Sequence, residues 1–182
     1  MSNTGESYPI LCNQENFILN ANRYKIKQCL DNEHIIFKPA VKNTHDNGRP
    51  KNGMFIAVPL AIKEKVTDVS PHHWRVQAVI LHTQNNRILL VNTYFPTDPK
   101  VQAFDMTDLF TTLSAINDVL QRNNFDSVVW AGDINADFVR RTRFTSTVDS
   151  FIVDHSFNKS RDRFDIDFTH VYEIDNVCYS PF

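Results

Sequence analysis

The 182-residue sequence has few cysteines and glycines, no long apolar run and almost no excess of charge. Its three cysteines are far apart, and an odd number without CxxC spacing argues against a disulfide framework or a zinc site. We therefore expect a reducing, intracellular compartment, either nucleus or cytoplasm. No apolar run approaches the ~20 residues of a transmembrane helix, so no membrane partner is expected. The net charge of −2 does not favour bulk electrostatic binding of nucleic acid, but it is compatible with an enzyme that binds metal through carboxylates.

Hydrophobic residues make up 42% of the chain and include 14 phenylalanines, enough for one domain with an aromatic-rich core. A polar, turn-like stretch at residues 84–87 separates two strongly β-forming segments, which predicts a hairpin. Segments of strand length recur along the chain, at residues 8–12, 35–37, 54–58, 75–83, 88–94 and 127–131. Two further segments, at residues 168–172 and 177–179, predict a closing hairpin.

Helices are predicted at two places between these strands, in addition to residues 17–30, which also have helical spacing. Residues 105–124 form the clearer one, because apolar side chains recur at helical spacing and Asp105 or Thr107 is suited to cap its start. A second amphipathic helix is predicted around residues 144–152. This order of elements predicts an α/β (α+β) protein in which sheets are covered by helices.

Two polar side chains follow a buried strand in residues 132–135 (GDIN). The two-residue period of a strand predicts that Asp133 and Asn135 project to the same side, where ligand sites of open sheets commonly lie. Gly132 would let the backbone or a substrate approach closely. A carboxylate and an amide at this place are suited to orient a water molecule or bind phosphate. An Asx-type turn that ends the strand explains the same residues.

The wider segment around Asp133 resembles the GDFN motif of the endonuclease/exonuclease/phosphatase superfamily, with Ile134 in place of phenylalanine. Upstream, three segments resemble other motifs of this superfamily in the same order. These are residues 90–96 (LVNTYFP), like its Asn-x-Tyr-x-Pro strand end, residues 10–15 (ILCNQE), like its Leu-x-Gln-Glu motif, and residues 53–58, like its glycine-containing strand. The resemblance implies a DNase I-like fold, a two-layer β-sandwich flanked by helices. Residues 167–170 (DFTH) further resemble the endonuclease domains of non-LTR retrotransposons, which nick chromosomal DNA.

The resemblance also implies a role for individual residues in a metal-dependent phosphodiester hydrolase. Glu15 matches the ligand of Mg²⁺ (or Mn²⁺), a cation that prefers oxygen ligands. Asp133 matches the residue that orients or deprotonates the attacking water, and Asn135 matches the group that steadies Asp133 and the phosphate. Tyr94 matches a donor to the charge that develops on the phosphate. Without the motifs, a glutamate at a helix start and an aromatic residue at a strand end would be the preferred explanations of Glu15 and Tyr94.

Four further residues are candidates for contact with substrate. Thr169 and His170 match the retrotransposon stretch, although His170 also fits a structural role. Arg140 and Arg141 follow the GDIN segment and are suited to bind the DNA backbone, although a solvated basic face is an equal alternative. If the chain is part of a longer polyprotein, a reverse transcriptase domain is the expected partner.

The sequence departs from the superfamily pattern near both ends. The family's first strand, which carries a metal-site asparagine, has no counterpart before residue 10, and neither its final Ile-Asp pair nor its Ser-Asp-His motif is found. Ile174 and Asp175 are interpreted as a hairpin turn, and residues 154–155 (Asp-His) as part of the second helix. We therefore expect residues 1–182 to be a single, incomplete domain of this fold that is weakly active or inactive alone. The alternatives are a non-catalytic relic and the same fold acting on a small phosphodiester such as a phosphoinositide.

Overall fold

A small antiparallel sheet is formed by the first part of the chain. It consists of β1 (Leu11–Asn13), β2 (His34–Phe37) and β3 (Phe55–Pro59), with β3 in the centre. Every residue of β3 is buried, because one face of the strand packs inside the sandwich and the other packs against Leu11 and Leu30. The computed structural model describes residues 9–14, 30, 34–37, 53–97, 106–135, 138, 141–159 and 178–179.

A larger, mixed sheet faces the first one. A 3-10 helix, Leu60–Lys65, leads from β3 into it. Its described strands are β4 (Val66–Asp68), β5 (Val76–His82), β6 (Arg87–Tyr94), β7 (Ser127–Asp133), β8 (Asn158–Lys159) and β9 (Cys178–Tyr179). They are arranged in the order β4-β5-β6-β7-β9-β8, and all pairs are antiparallel except β6 with β7, which is parallel.

Within the described residues, two α-helices pack on the outer face of the larger sheet. Because parallel strands need a crossover connection, helix α1 (Thr107–Arg122) carries the chain from the end of β6 back to the start of β7. Helix α2 (Arg143–Asp154) follows β7 and begins with a capping box formed by Thr142 and Thr145. Among the described helices, none combines the length and the apolar character that are needed to span a membrane.

The central strands of the larger sheet, β5 to β7, are largely buried on both faces, so the described residues form two main cores. Between the sheets, Ile56 and Val58 of β3 pack against Val79 and Leu90. On the helix side, the core is centred on Trp130, which is fully buried and surrounded by aromatic rings. The centroids of Phe95, Phe151 and Phe157 lie 5.7, 5.8 and 5.5 Å from that of Trp130. The architecture is therefore the predicted β-sandwich with helices on its outside.

Most predicted elements are confirmed, and the differences concern their ends. The hairpin of β5 and β6 and both helices are present. Helix α1 begins at Thr107, so Thr107 is not its cap; Met106 is at the N-cap position and makes no side-chain cap hydrogen bond. Strand β7 continues to Asp133 rather than ending at Ala131. Of the predicted closing hairpin, residues 168–172 lie outside the described residues, and β9 pairs with β7 and β8.

Candidate active site

The parallel pairing of β6 and β7 brings Tyr94 and Asp133 side by side. The two residues are in register at the carboxyl ends of their strands. Leu90 of β6 and Val129 of β7 pack in the core between the sheets. Because side chains alternate along a strand, Tyr94 and Asp133 lie on this same face. Tyr94 is buried and Asp133 is half-buried. Two of the catalytic residues that the motifs predict are thus adjacent at one edge of the sandwich.

Gly132 is required because the backbone of β6 lies close to its Cα. Its φ of 136° lies in a region that residues with a side chain rarely adopt. A Cβ atom at this position would lie only 2.7 Å from the backbone nitrogen of Thr93 and 2.9 Å from its carbonyl carbon. The sequence predicts that Gly132 lets the backbone or a substrate approach closely. In the structure, the group that approaches it is the backbone of Thr93 in β6.

Asn135 is held in place by a turn rather than by strand geometry. The strand ends at Asp133, and Asn135 has a left-handed backbone with φ of 51°. Its backbone N–H donates to Oδ1 of Asp133 at 3.0 Å, which is the Asx turn that was the alternative explanation of this segment. Its Nδ2 donates to the carbonyl oxygen of Phe95 at 2.9 Å, and the Phe95 N–H donates to the Asp133 carbonyl at 2.8 Å. The prediction that strand alternation orients Asn135 was wrong, because the turn and Phe95 orient it.

A buried asparagine joins the two sheets beside these residues. Asn92 lies on the same face of β6 as Tyr94 and is completely buried. Its Nδ2 donates to the carbonyl oxygens of Asn13 at 3.2 Å and Phe55 at 3.3 Å, and its Oδ1 accepts a hydrogen bond from Nε2 of Gln14. Gln14 and Asn92 belong to two of the quoted motifs, yet the motifs alone gave neither residue a role. The available signal was a polar residue in a strand buried on both faces, which must find hydrogen-bond partners.

A buried arginine, Arg75, lies next to Tyr94 on the side of β5. Arg75 precedes β5, and its guanidinium donates from Nη1 to the Tyr94 carbonyl at 3.2 Å and from Nη2 to Oδ2 of Asp108 at 3.3 Å. Its Cζ lies 3.8 Å from the ring centroid of Trp74 and 5.5 Å from that of Tyr94. Burial lowers the pKa of Arg75, and Asp108 opposes this shift. The pKa of His73 is also lowered, mainly by burial and then by the charge of Arg75. Nothing in the sequence pattern indicated this cluster.

Of the remaining candidate residues, only Arg141 lies within the described part of the chain. Glu15, Thr169, His170 and Arg140 lie outside the described residues. Arg141 is exposed in the segment between β7 and α2, as expected for either a DNA contact or a solvated basic face. Within the described ranges, no group of three or more His, Cys, Asp and Glu side chains is placed to hold a metal ion.

The chemistry of the described donors fits a hard cation. Asp133 offers a carboxylate and Asn135 an amide, and oxygen atoms of these groups are ligands that Mg²⁺ prefers. The amide nitrogen of Asn135 must be the atom that faces the Phe95 carbonyl, since a carbonyl oxygen only accepts. The site therefore contains an oriented carboxylate and an oriented amide at one strand end.

The sequence matches no protein-family model, and no curated protein is similar to it. Solved structures, in contrast, are clearly similar at 13–14% identity. A 3′ phosphatase, NExo from Neisseria bound to a product DNA hairpin, superposes with a TM-score of 0.64 over 98% of this chain and 79% of that one. An endonuclease/exonuclease/phosphatase family protein from Leptotrichia buccalis gives a TM-score of 0.63, with coverages of 96% and 76%. The endonuclease domain of TRAS1, a telomere-specific non-LTR retrotransposon, gives 0.57, with 94% and 72%.

The chain therefore has the endonuclease/exonuclease/phosphatase fold, as the order of its sequence motifs predicted.

Proposed function

We propose that this chain is a metal-dependent phosphodiester hydrolase that nicks DNA. The observation that carries the proposal is the alignment of Asp133 with Tyr94 at the ends of two parallel strands, with Asn135 fixed against the same strand ends. These three residues are the ones to which the superfamily motifs assign catalytic roles. The proposal is also supported by the fold, which is shared with an endonuclease/exonuclease/phosphatase family protein and with a 3′ phosphatase.

Asp133 is proposed to hold and deprotonate the attacking water. Its Oδ1 accepts the N–H of Asn135, and its backbone carbonyl accepts the N–H of Phe95. These bonds restrict the orientation of the carboxylate, and a general base acts efficiently only when it is fixed within hydrogen-bonding reach of the proton that it abstracts. The half-buried position leaves the carboxylate accessible from the edge of the sandwich.

Tyr94 and Asn135 are proposed to stabilise the phosphate. A phenol and an amide that are already oriented can donate to the charge that develops on the phosphate oxygens without reorganising during the reaction. The described donors fit Mg²⁺ (or Mn²⁺), and Glu15 is proposed to hold it. When bound, the cation supplies Lewis-acid stabilisation of charge on the phosphate.

DNA is the proposed substrate, and nicking of the retrotransposon type is the proposed reaction. Residues 167–170 support this choice through their resemblance to retrotransposon endonucleases. Among the similar structures, one is the endonuclease domain of such an element and another was solved with a DNA hairpin. Arg141, which is exposed after β7, is proposed to contact the backbone together with Arg140, Thr169 and His170. In a longer polyprotein, a reverse transcriptase domain would use the nick that this domain makes.

The proposal is tested by nicking of supercoiled plasmid with Mg²⁺, with Mn²⁺ and with a chelator. Weak, metal-dependent nicking is expected, and Asp133→Asn should lower its rate by ~10²–10³, the usual effect of removing one positioned catalytic group. The matched control is Asp118→Asn, the same chemical change in an exposed carboxylate that pairs with Arg122 on helix α1 at 3.2 Å. It should leave the rate unchanged.

Two results would overturn the proposal. Nicking that survives Asp133→Asn would show that the activity arises elsewhere, and DNA binding without nicking under any metal condition would favour a non-catalytic relic. A soluble phosphoinositide should be tested in parallel. Faster hydrolysis of that lipid headgroup than of plasmid would reject DNA as the substrate while keeping the hydrolase.

A further inference from the structure

Arg75 is a buried cation at the edge of the candidate site. Only 10% of its side chain is exposed. Burying a charge is costly unless the charge is paired and hydrogen bonded. The guanidinium offsets part of this cost through contacts with Trp74, Tyr94 and Asp108, while its Nε has no hydrogen-bond partner among the described residues. An apolar side chain would fill the same space without this cost, so the charge itself requires an explanation.

Arg75 binds both polar groups of the Tyr94 backbone. Its own carbonyl oxygen accepts the Tyr94 N–H at 3.0 Å, and its Nη1 donates to the Tyr94 carbonyl at 3.2 Å. The regular pairing of β5 with β6 ends one residue earlier, at Val76 and Thr93. Arg75 therefore extends the hydrogen bonding between the two strands to Tyr94, the residue proposed to contact the phosphate.

The guanidinium is itself held in one orientation. Its Nη2 reaches Asp108 in the first turn of α1, while Nη1 reaches Tyr94. The planar group also lies over the Trp74 ring at 3.8 Å. Because Asp108 is more than half exposed, the ion pair adds little stability. Its main effect is to orient the guanidinium of Arg75. A lysine has one ammonium group and cannot reproduce this fork or the stacking.

From this geometry we infer that Arg75 is a positioning residue that fixes the backbone and ring of Tyr94, and so sets where the Tyr94 hydroxyl meets the phosphate. The inference rests on the role proposed for Tyr94 above. A displacement of about 1 Å in a group at the reaction centre can lower a rate by ~10²-fold. Removal of the Arg75 contacts should therefore lower the rate of nicking measurably.

The first test is independent of activity. The chain has five tyrosines, and ring-labelled tyrosine gives NMR signals among which Tyr94 is assigned by its loss in Tyr94→Phe. In Arg75→Met, which keeps the bulk but removes the charge, the Tyr94 signal should shift or broaden. The matched control is Arg87→Met at the other end of β6, where Arg87 pairs with Asp126 at 3.6 Å. It should leave the Tyr94 signal in place.

The second test is a double-mutant cycle on plasmid nicking. Arg75→Met should lower kcat about tenfold or more and leave KM within about twofold, and Arg75→Lys should fall between it and the wild type. In the Tyr94→Phe background, Arg75→Met should change kcat by less than about twofold, because the hydroxyl that it positions is absent. An effect of full size in that background would overturn the inference.

The outcomes separate the inference from the proposed function. If the wild-type chain does not nick DNA, the proposed function fails and the NMR signal of Tyr94 alone decides whether Arg75 positions it. An unchanged Tyr94 signal in folded Arg75→Met would overturn the inference even if nicking is normal. If Arg75→Met does not fold, Arg75→Lys takes its place in both tests: a smaller loss of kcat is then expected, and an unchanged Tyr94 signal would still overturn the inference.

Discussion

Replacement of Asn92 by leucine should destabilise the protein strongly, because Asn92 joins the two sheets. Leucine has the same branched arrangement of heavy atoms and is not smaller than asparagine, so no cavity is left and the lost hydrogen bonds account for most of the effect. Three bonds are lost, to Gln14, Asn13 and Phe55. Each contributes about 1 kcal/mol net, and each partner left buried without a bond costs ~1–3 kcal/mol. Some partners will reach water, so the expected loss is about 3–5 kcal/mol.

Urea denaturation measures this loss. The midpoint should fall while the slope stays constant, since the leucine variant buries the same surface. For a chain of this size, the melting temperature should drop by about 6–20 °C. The matched control is Asn123→Leu at the end of α1, where a single bond of 2.8 Å to Val119 is lost; it should cost about 1 kcal/mol. A loss below about 1 kcal/mol in Asn92→Leu would refute the view that these bonds hold the sheets together.

Three further predictions concern single positions. Gly132→Ala should cost ~2–4 kcal/mol in chemical denaturation, because a Cβ would collide with the Thr93 backbone at a positive φ; a neutral effect would contradict this packing. Burial raises the pKa of Cys12 to about 11 from an ordinary 9.0, so with the other two cysteines changed to serine, alkylation at pH 8 should be about a hundredfold slower in folded than in unfolded protein. The pKa of exposed Asp126 is lowered, mainly by the Arg87 backbone N–H, so its stabilising contribution is present at neutral pH and is lost as pH falls through the lowered pKa. Asp126→Asn should therefore flatten the acid side of the stability profile.

Local patterns in the sequence predict the hairpin, both described helices and the fold. Alternation within residues 75–94 predicts the hairpin, because a strand that is buried on one face repeats every two residues. The apolar stripe of α1 predicts its helix for the corresponding reason at 3.6 residues. Motifs that are each only a few residues long, taken in order, predicted the fold that solved structures at 13–14% identity share. Asp133 and Tyr94 were found in the same way, as strand-end residues within motifs.

The contacts that hold these residues form only in the assembled fold. Tyr94 meets Asp133 through a parallel register, Asn135 is oriented by Phe95 forty positions away, and Asn92 meets Gln14 across 78 positions. Local periodicity reports which face of an element is apolar, but it carries no information about which distant backbone group a polar side chain will reach. Partners of buried polar groups are fixed by register and sheet packing, so they emerge only when the strands are assembled.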